Sequence, residues 1–168
     1  FYIIKKVITM SKRIVGFEYK ITEDGSFQDK EFGHTKELNN QFDSLFRECN
    51  DNNNFKIIDK LKVLINKFPK SPILKNYLCK AYITHKMTDE AVNINEKILI
   101  EHPNYLFGKI NKANDLIYKG EAEKVPSVLG ELLDLKDLYP DRELFHKSEV
   151  LNYLYVVARY FLAIGDSE

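Results

Sequence analysis

Matched residues recur along this chain at a fixed interval of 34 residues. Pro69 and Pro103 lie that far apart, and each follows an aromatic or His residue at the end of an apolar-periodic segment. Two small residues, Cys79 and Ala113, repeat the interval. A third set is apolar and repeats it twice: Ile57, Ala91 and Val125. An interval of this size indicates that one supersecondary unit is copied along the chain.

Between these markers, apolar residues are spaced three and four apart, which predicts amphipathic helices. The predicted helices cover residues 55–68, 72–86, 88–101, 104–119, 121–138 and 143–164. Residues 35–49 are predicted to supply the first helix of a divergent unit. Pro72 suits a first helical turn and Gly120 a helix C-terminus. We expect Pro126, inside the fifth segment, to lie in the true first turn of its helix.

The sequence resembles the tetratricopeptide repeat, whose motif is W-x2-L-G-x2-Y, then A-x3-F, then P, over 34 residues. The unit that starts at Pro72 matches it at Leu78, Tyr82, Ala91 and Pro103. Its departures are Lys75, Cys79 and Asn95, in place of the Trp, Gly and Phe. The next unit has Ala113, Leu116, Val125 and Leu129, with Lys109 and Lys112 departing. The last segment has Leu154, Val157, Ala158 and Phe161 in the motif's spacing.

The resemblance implies a mainly α fold, an α-solenoid of antiparallel helix pairs over residues 35–168. Gly165 follows Ala158 by seven residues, as Gly120 follows Ala113. We therefore expect residues 165–168 to be the turn into a second helix, with the array truncated after the first helix of its last unit.

Residues 1–34 lie outside the repeat pattern and are predicted to form a short β-hairpin. Apolar residues alternate with a period of two at Val15, Phe17, Tyr19 and Ile21. Asp24–Gly25 is a turn signal, and Tyr2–Thr9 is the candidate partner strand. A linker or an unrelated helix is the alternative for this segment.

Charge and cysteine content exclude several classes of protein. The chain has 25 basic and 25 acidic residues, whereas nucleic-acid binding normally needs a basic surface. No segment has the ~18 uninterrupted apolar residues of a membrane span. Cys49 and Cys79 lack the spacing of a disulfide framework or a zinc site. We expect two free thiols and a cytoplasmic protein that binds neither nucleic acid nor membrane.

The sequence contains no recognisable catalytic, metal-binding or cofactor-binding motif. None of the four histidines (His34, His85, His102 and His146) is at metal-ligand spacing. Seven glycines leave little material for a phosphate-binding loop. Cys79 is expected to be a packing residue. We therefore expect no enzymatic activity, no metal and no cofactor.

In tetratricopeptide arrays, the first helices of successive units line a concave surface that binds a protein or peptide. The resemblance assigns to that surface Asn76, Lys80, Thr84, Ile110, Asn111, Asn114, Tyr118, Tyr155, Arg159 and Leu162. Asn side chains can donate to and accept from an extended peptide backbone. Lys80 and Arg159 favour an acidic side chain or a terminal carboxylate on the partner. The family's full carboxylate clamp is not reproduced, since Asn152 and Val156 occupy two of its basic positions.

Three other interpretations remain open at this point. The binding residues could be ordinary exposed helix positions. Residues 150–164, which are apolar nearly all round, could drive self-association. The chain could also be a regulatory helical segment of a larger enzyme.

Overall fold

The computed structural model describes residues 19–24 and 32–165, and this part of the chain is mainly helical. Its elements, in order, are β1 (Lys20–Thr22), α1 (Lys36–Asn39), α2 (Phe42–Cys49), α3 (Lys56–Lys67), α4 (Pro72–Thr84), α5 (Thr88–Glu101), α6 (Leu106–Tyr118), α7 (Val125–Leu129), α8 (Leu135–Leu138), β2 (Leu144–His146) and α9 (Lys147–Gly165). A short 3-10 turn, Ala122–Lys124, precedes α7. The predicted mainly α fold is confirmed at this level.

Helix α4 begins and ends at recognisable signals. Ser71 is its N-cap and accepts a hydrogen bond from Leu74 N, while Pro72 occupies the first turn as predicted. At the other end Lys86 has a left-handed backbone, with φ of 61°. The Met87 N–H then donates to Tyr82 O at 2.8 Å, which closes a Schellman motif.

Helix α6 ends in the same way, 34 residues further on. Gly120 has φ of 75°, and the Glu121 N–H donates to Leu116 O at 2.9 Å. Gly120 therefore terminates α6 as predicted. The corresponding end of α4 carries Lys86, so two helix ends of identical design are related by the interval found in the sequence.

The small and apolar residues that marked the interval are in the core, whereas the two prolines, Pro69 and Pro103, are exposed. Ile57, Ala91 and Val125 are buried, and so are Cys79 and Ala113. The Cys79 Sγ–H donates to Ala91 O at 3.5 Å, so a small residue in α4 meets a small residue in α5 where the two helices pack. This contact explains why a bulky side chain is absent at both positions.

Two clusters of buried side chains form the core. The first joins α1–α5 and includes Leu45, Ile57, Leu61 and Leu74. The second joins α6–α9 and β2, with Phe145 and Tyr153 as its largest fully buried side chains. The groove described below crosses both clusters.

The helix predicted over residues 121–138 is wrong. A 3-10 turn, α7 and α8 replace it, although Pro126 does lie in the first turn of α7. Gly130 and Leu133 both have positive φ, 89° and 53° respectively. A left-handed residue cannot continue a right-handed helix, so the chain turns twice between α7 and α8.

Two other predicted helices need correction. Residues 35–49 form α1 and α2 rather than one helix, and residues 144–146 are a strand, so the last helix starts at Lys147. Ala158 is exposed, so this motif position does not lie at a buried crossing. Gly165 is the last residue of α9 and lacks the positive φ of Gly120. The expected turn beyond Gly165 lies outside the described residues.

The strand at Lys20–Thr22 pairs with a distant part of the chain. It runs parallel to β2, with Ile21 opposite Phe145, and the Tyr19 and Phe145 rings lie 4.9 Å apart. The sequence had suggested a hairpin, in which two neighbouring strands pair. The partner strand that the structure describes is instead the distant β2. The other predicted strand, Tyr2–Thr9, lies outside the described residues.

Candidate functional site

A groove of about 720 Å³ runs across α4 and α6, between α2 on one side and β1 with the start of α9 on the other. Six of the predicted binding residues line it: Asn76, Lys80, Ile110, Asn111, Asn114 and Tyr155. The structure therefore brings residues from three helices to one surface, over a sequence distance of about 80 residues.

The other predicted residues lie outside this lining. Thr84 is half-buried near the end of α4, and Tyr118 is 82 % exposed at the end of α6. Leu162 is 70 % exposed on α9. Arg159 does not line the groove, but its guanidinium donates a hydrogen bond to Asn114 Oδ1, which does.

A chain of side-chain amides runs from the groove into the core. Asn111 Nδ2 donates to Asn76 Oδ1 at 2.9 Å and to Asn95 Oδ1 at 3.2 Å. Asn95 is only 5 % exposed and donates in turn to Gly108 O at 3.0 Å. The sequence had marked Asn95 only as a departure from the repeat motif. Local periodicity could not predict the role of Asn95, because its hydrogen-bond partner is a backbone carbonyl of the next helix.

This network leaves one donor and one acceptor next to each other in the groove. Among the described residues, no hydrogen bond uses Asn76 Nδ2 or Asn111 Oδ1. The two amides are joined by a hydrogen bond, so the unused atoms are held within a few ångströms of one another. An extended peptide presents an alternating N–H and C=O in the same way.

Aromatic side chains form the wall of the groove near α2. The ring of Tyr77 lies 5.9 Å from that of Phe42 and 5.7 Å from that of Phe46. Burial raises the pKa of Tyr77 well above its ordinary value. Phe46 nevertheless remains 48 % exposed, and Ile83, 53 % exposed, also lines the groove. This wall could bury an apolar side chain of a ligand.

The charged groups of the groove differ in how they are paired. Glu23 accepts a hydrogen bond from Lys147 at 2.6 Å, which holds the pKa of Glu23 below its usual range. Glu149 is buried and forms an ion pair with Arg142 at 2.5 Å. Lys80 is half-buried and has no ion-pair partner within residues 19–24 and 32–165. It is therefore a cation available to a ligand.

His146 has a structural role at one end of the groove. Its Nδ1 accepts from the Ser148 N–H at 3.2 Å, while Glu149 Oε2 accepts from the His146 N–H at 2.8 Å. The two hydrogen bonds resemble a capping box, except that the N–H donated to the ring nitrogen is that of Ser148 rather than that of Glu149. The His146 Nε2 atom faces Glu23 O at 3.1 Å, so the same side chain ties β1 to the start of α9.

The cysteines are placed for packing. Cys49 and Cys79 are buried, and burial raises the pKa of each thiol to about 12. A thiol that stays protonated at neutral pH is a poor nucleophile. In the described part of the chain, no group of three or more His, Cys, Asp or Glu side chains could hold a metal ion. No helix of that part is long and apolar enough to span a bilayer.

Comparison of the chain with known protein families, with curated proteins and with solved structures finds no match.

Proposed function

We propose that this chain is a protein-interaction module that binds a segment of a partner protein in the groove. The observation that carries the proposal is the joined pair of amides, Asn76 and Asn111, with one unused donor and one unused acceptor. A groove that offers both to a ligand, beside exposed aromatic surface, suits an extended peptide better than a small anion or cation.

The same proposal covers the arrangement of the helices. We propose that α3–α6 are consecutive helix pairs of a tetratricopeptide-like array. Support comes from the matching ends of α4 and α6 at Lys86 and Gly120, and from the small residues Cys79 and Ala91 in contact between α4 and α5. In such an array the groove is the inner surface.

The charges of the groove favour a partner segment with one acidic side chain rather than an acidic segment throughout. Lys80 would receive that side chain, whereas the Arg159 guanidinium is already hydrogen-bonded to Asn114. Asp43 is exposed on the same lining and would repel a second acidic group. We therefore expect a ligand with an acidic residue near an apolar one, the latter against Phe46 and Tyr77.

The proposal can be tested by selecting random displayed peptides on the wild-type protein and measuring their binding to variants. Asn111→Ala removes the acceptor and part of the amide network, and Lys80→Glu reverses the unpaired charge. Each should weaken the selected peptides by about fivefold to tenfold, since loss of one buried hydrogen bond costs about 1–1.5 kcal/mol.

Matched controls lie on α5, outside the groove lining. Asn93→Ala and Lys97→Glu change the same residue types at exposed positions and should leave binding unchanged. Unfolding curves of all four variants identify any loss that comes from instability. Peptides that bind the groove variants as tightly as the wild type would contradict the proposal, as would a failure to enrich any peptide.

A further inference from the structure

Helix α9 carries a stripe of exposed apolar side chains, which we call the α9 stripe. Its members are Leu151, Leu154, Tyr155, Ala158 and Leu162. The four large ones are between 42 % and 70 % exposed. At 100° per residue the five side chains fall within an arc of about 100°, as on the contact face of a packed helix.

The opposite face of α9 is the one that packs on the rest of the protein. Val150, Tyr153, Val156 and Val157 are buried there, in the core cluster shared with α6. The Tyr153 hydroxyl also donates to Leu129 O at 2.9 Å, which fixes the rotation of the helix. The α9 stripe thus stays exposed because α9 is already anchored through its other side.

We propose that the α9 stripe binds the α9 stripe of a second copy of this chain, with the two helices antiparallel. A two-fold axis midway between residues 156 and 157 would place Leu151 of each copy against Leu162 of the other. The same axis would place Tyr155 against Ala158. This inference goes beyond groove binding and does not depend on it.

Charge is the first argument for a second copy as the occupant. Charged residues make up 30 % of the chain, but Arg159 is the single one between residues 151 and 164. Its guanidinium is hydrogen-bonded to Asn114 on α6. Two copies therefore meet without opposing like charges, whereas a partner recognised by charge would find none on the stripe itself. Depletion of charge is characteristic of the core of a protein interface.

The sizes of the side chains supply the second argument, and they also select the antiparallel direction. Opposing Tyr155 to Ala158 puts a large side chain over a small one at two symmetric places, which lets the helices interdigitate. A parallel pair would oppose Tyr155 to Tyr155 and Ala158 to Ala158, so the helices would be held apart at one level and leave a gap at the next.

The stripe is small, so the dimer should be weak. Five side chains per copy are far fewer than the roughly 20–30 residues per side of a standard interface. We expect the average mass to rise from one copy of 19.7 kDa towards two as the concentration increases. The transition should fall between about 10 µM and 1 mM, the range of a weak complex.

Analytical ultracentrifugation over that range tests the association. In the antiparallel dimer, Leu162→Glu would place one charge at each end of the interface. This variant should therefore stay monomeric. Ile100→Glu is the matched control, because Ile100 is 80 % exposed on α5, and it should associate like the wild type. A monomer at every concentration would overturn the proposal. So would a dimer that survives Leu162→Glu or is abolished equally by Ile100→Glu.

Cross-linking with a short bis-maleimide tests the direction. Leu151→Cys mixed with Leu162→Cys should give a cross-linked mixed dimer, whereas either variant alone should cross-link poorly. Cys49 and Cys79 are buried and should not react in the folded protein. Cross-linking of Leu151→Cys alone, at the expense of the mixture, would show a parallel pair and contradict the inference.

These variants also separate this inference from the proposed function. Tyr155 is the one member of the stripe that lines the groove. Leu162→Glu should therefore abolish dimerisation and leave peptide binding intact, whereas Asn111→Ala should weaken peptide binding and leave dimerisation intact. Either property can fail while the other holds.

Discussion

Asn95 is a polar residue in the core, where its side-chain amide donates to Gly108 O and accepts from Asn111 Nδ2. A buried amide is stabilising only when its hydrogen bonds are made, and here both ends are used. The contact joins α5 to α6 and also fixes the orientation of Asn111 in the groove. One residue therefore links packing to the proposed binding surface.

We predict that Asn95→Ala lowers the free energy of unfolding by about 1–3 kcal/mol, because it leaves the buried Gly108 carbonyl without its partner. Urea unfolding followed by circular dichroism measures the change. Asn93→Ala, an exposed position on the same helix, should change stability by no more than about 0.5 kcal/mol. Equal effects at the two positions would mean that the amide network does not stabilise the fold.

Helices α4 and α6 end in the same hydrogen-bonded turn. Lys86 and Gly120 occupy the same left-handed position after α4 and α6, and the following N–H closes the same hydrogen bond. Glycine adopts this conformation without strain, whereas a residue with a Cβ atom does so at a cost of about 1 kcal/mol. The interval between them, read from sequence, thus corresponds to a repeated turn.

We predict that Lys86→Gly stabilises the protein and that Gly120→Lys destabilises it, each by about 1 kcal/mol. Both positions are exposed, so few packing contacts are lost in either variant. The midpoint of urea unfolding should move in opposite directions for the two variants, with no change in slope. Shifts of the same sign would contradict the view that a side chain at either position strains the left-handed backbone.

The elements also show where sequence-based prediction stopped. The helices from α3 to α6 were predicted within a few residues, because their periodicity, caps and glycine signals are local. Residues 144–146 were assigned to a helix because their partner strand, Lys20–Thr22, lies more than 120 residues away in sequence. The break between α7 and α8 depends on the left-handed Leu133, which carries no turn signal of its own.

At the scale of the whole molecule, the groove was predictable in part. The family resemblance predicted Asn76, Lys80 and Asn111 as binding residues, and all three line the groove, on α4 and α6. The aromatic wall and the closure by β1 and α9 were not predicted. They depend on how α2 and Lys20–Thr22 pack against distant parts of the chain, which local periodicity does not encode.

Because both thiols are buried, we predict that the free energy of unfolding of the whole molecule depends on pH in the alkaline range. The pKa of Cys49 and of Cys79 is raised by burial from 9.0 to about 12. Above pH 9 the thiols of the unfolded chain lose their protons while those of the folded protein keep them, so the unfolded state binds fewer protons. The free energy of unfolding should therefore fall as pH rises from 9 towards 12, and each thiol contributes a slope of up to about 1.4 kcal/mol per pH unit.

Urea unfolding between pH 8 and 10 tests this dependence when the wild type is compared with a variant that lacks both thiols, because burial also raises the pKa of six tyrosines and these add a slope of the same sign to both proteins. The variant with both Cys49→Ala and Cys79→Ala will be less stable at neutral pH, because it removes buried volume. Its stability should nevertheless change less with pH than that of the wild type. The slope, rather than the absolute stability, is therefore the quantity to compare, and equal slopes in the two proteins would show that the thiols ionise alike in the folded and unfolded states.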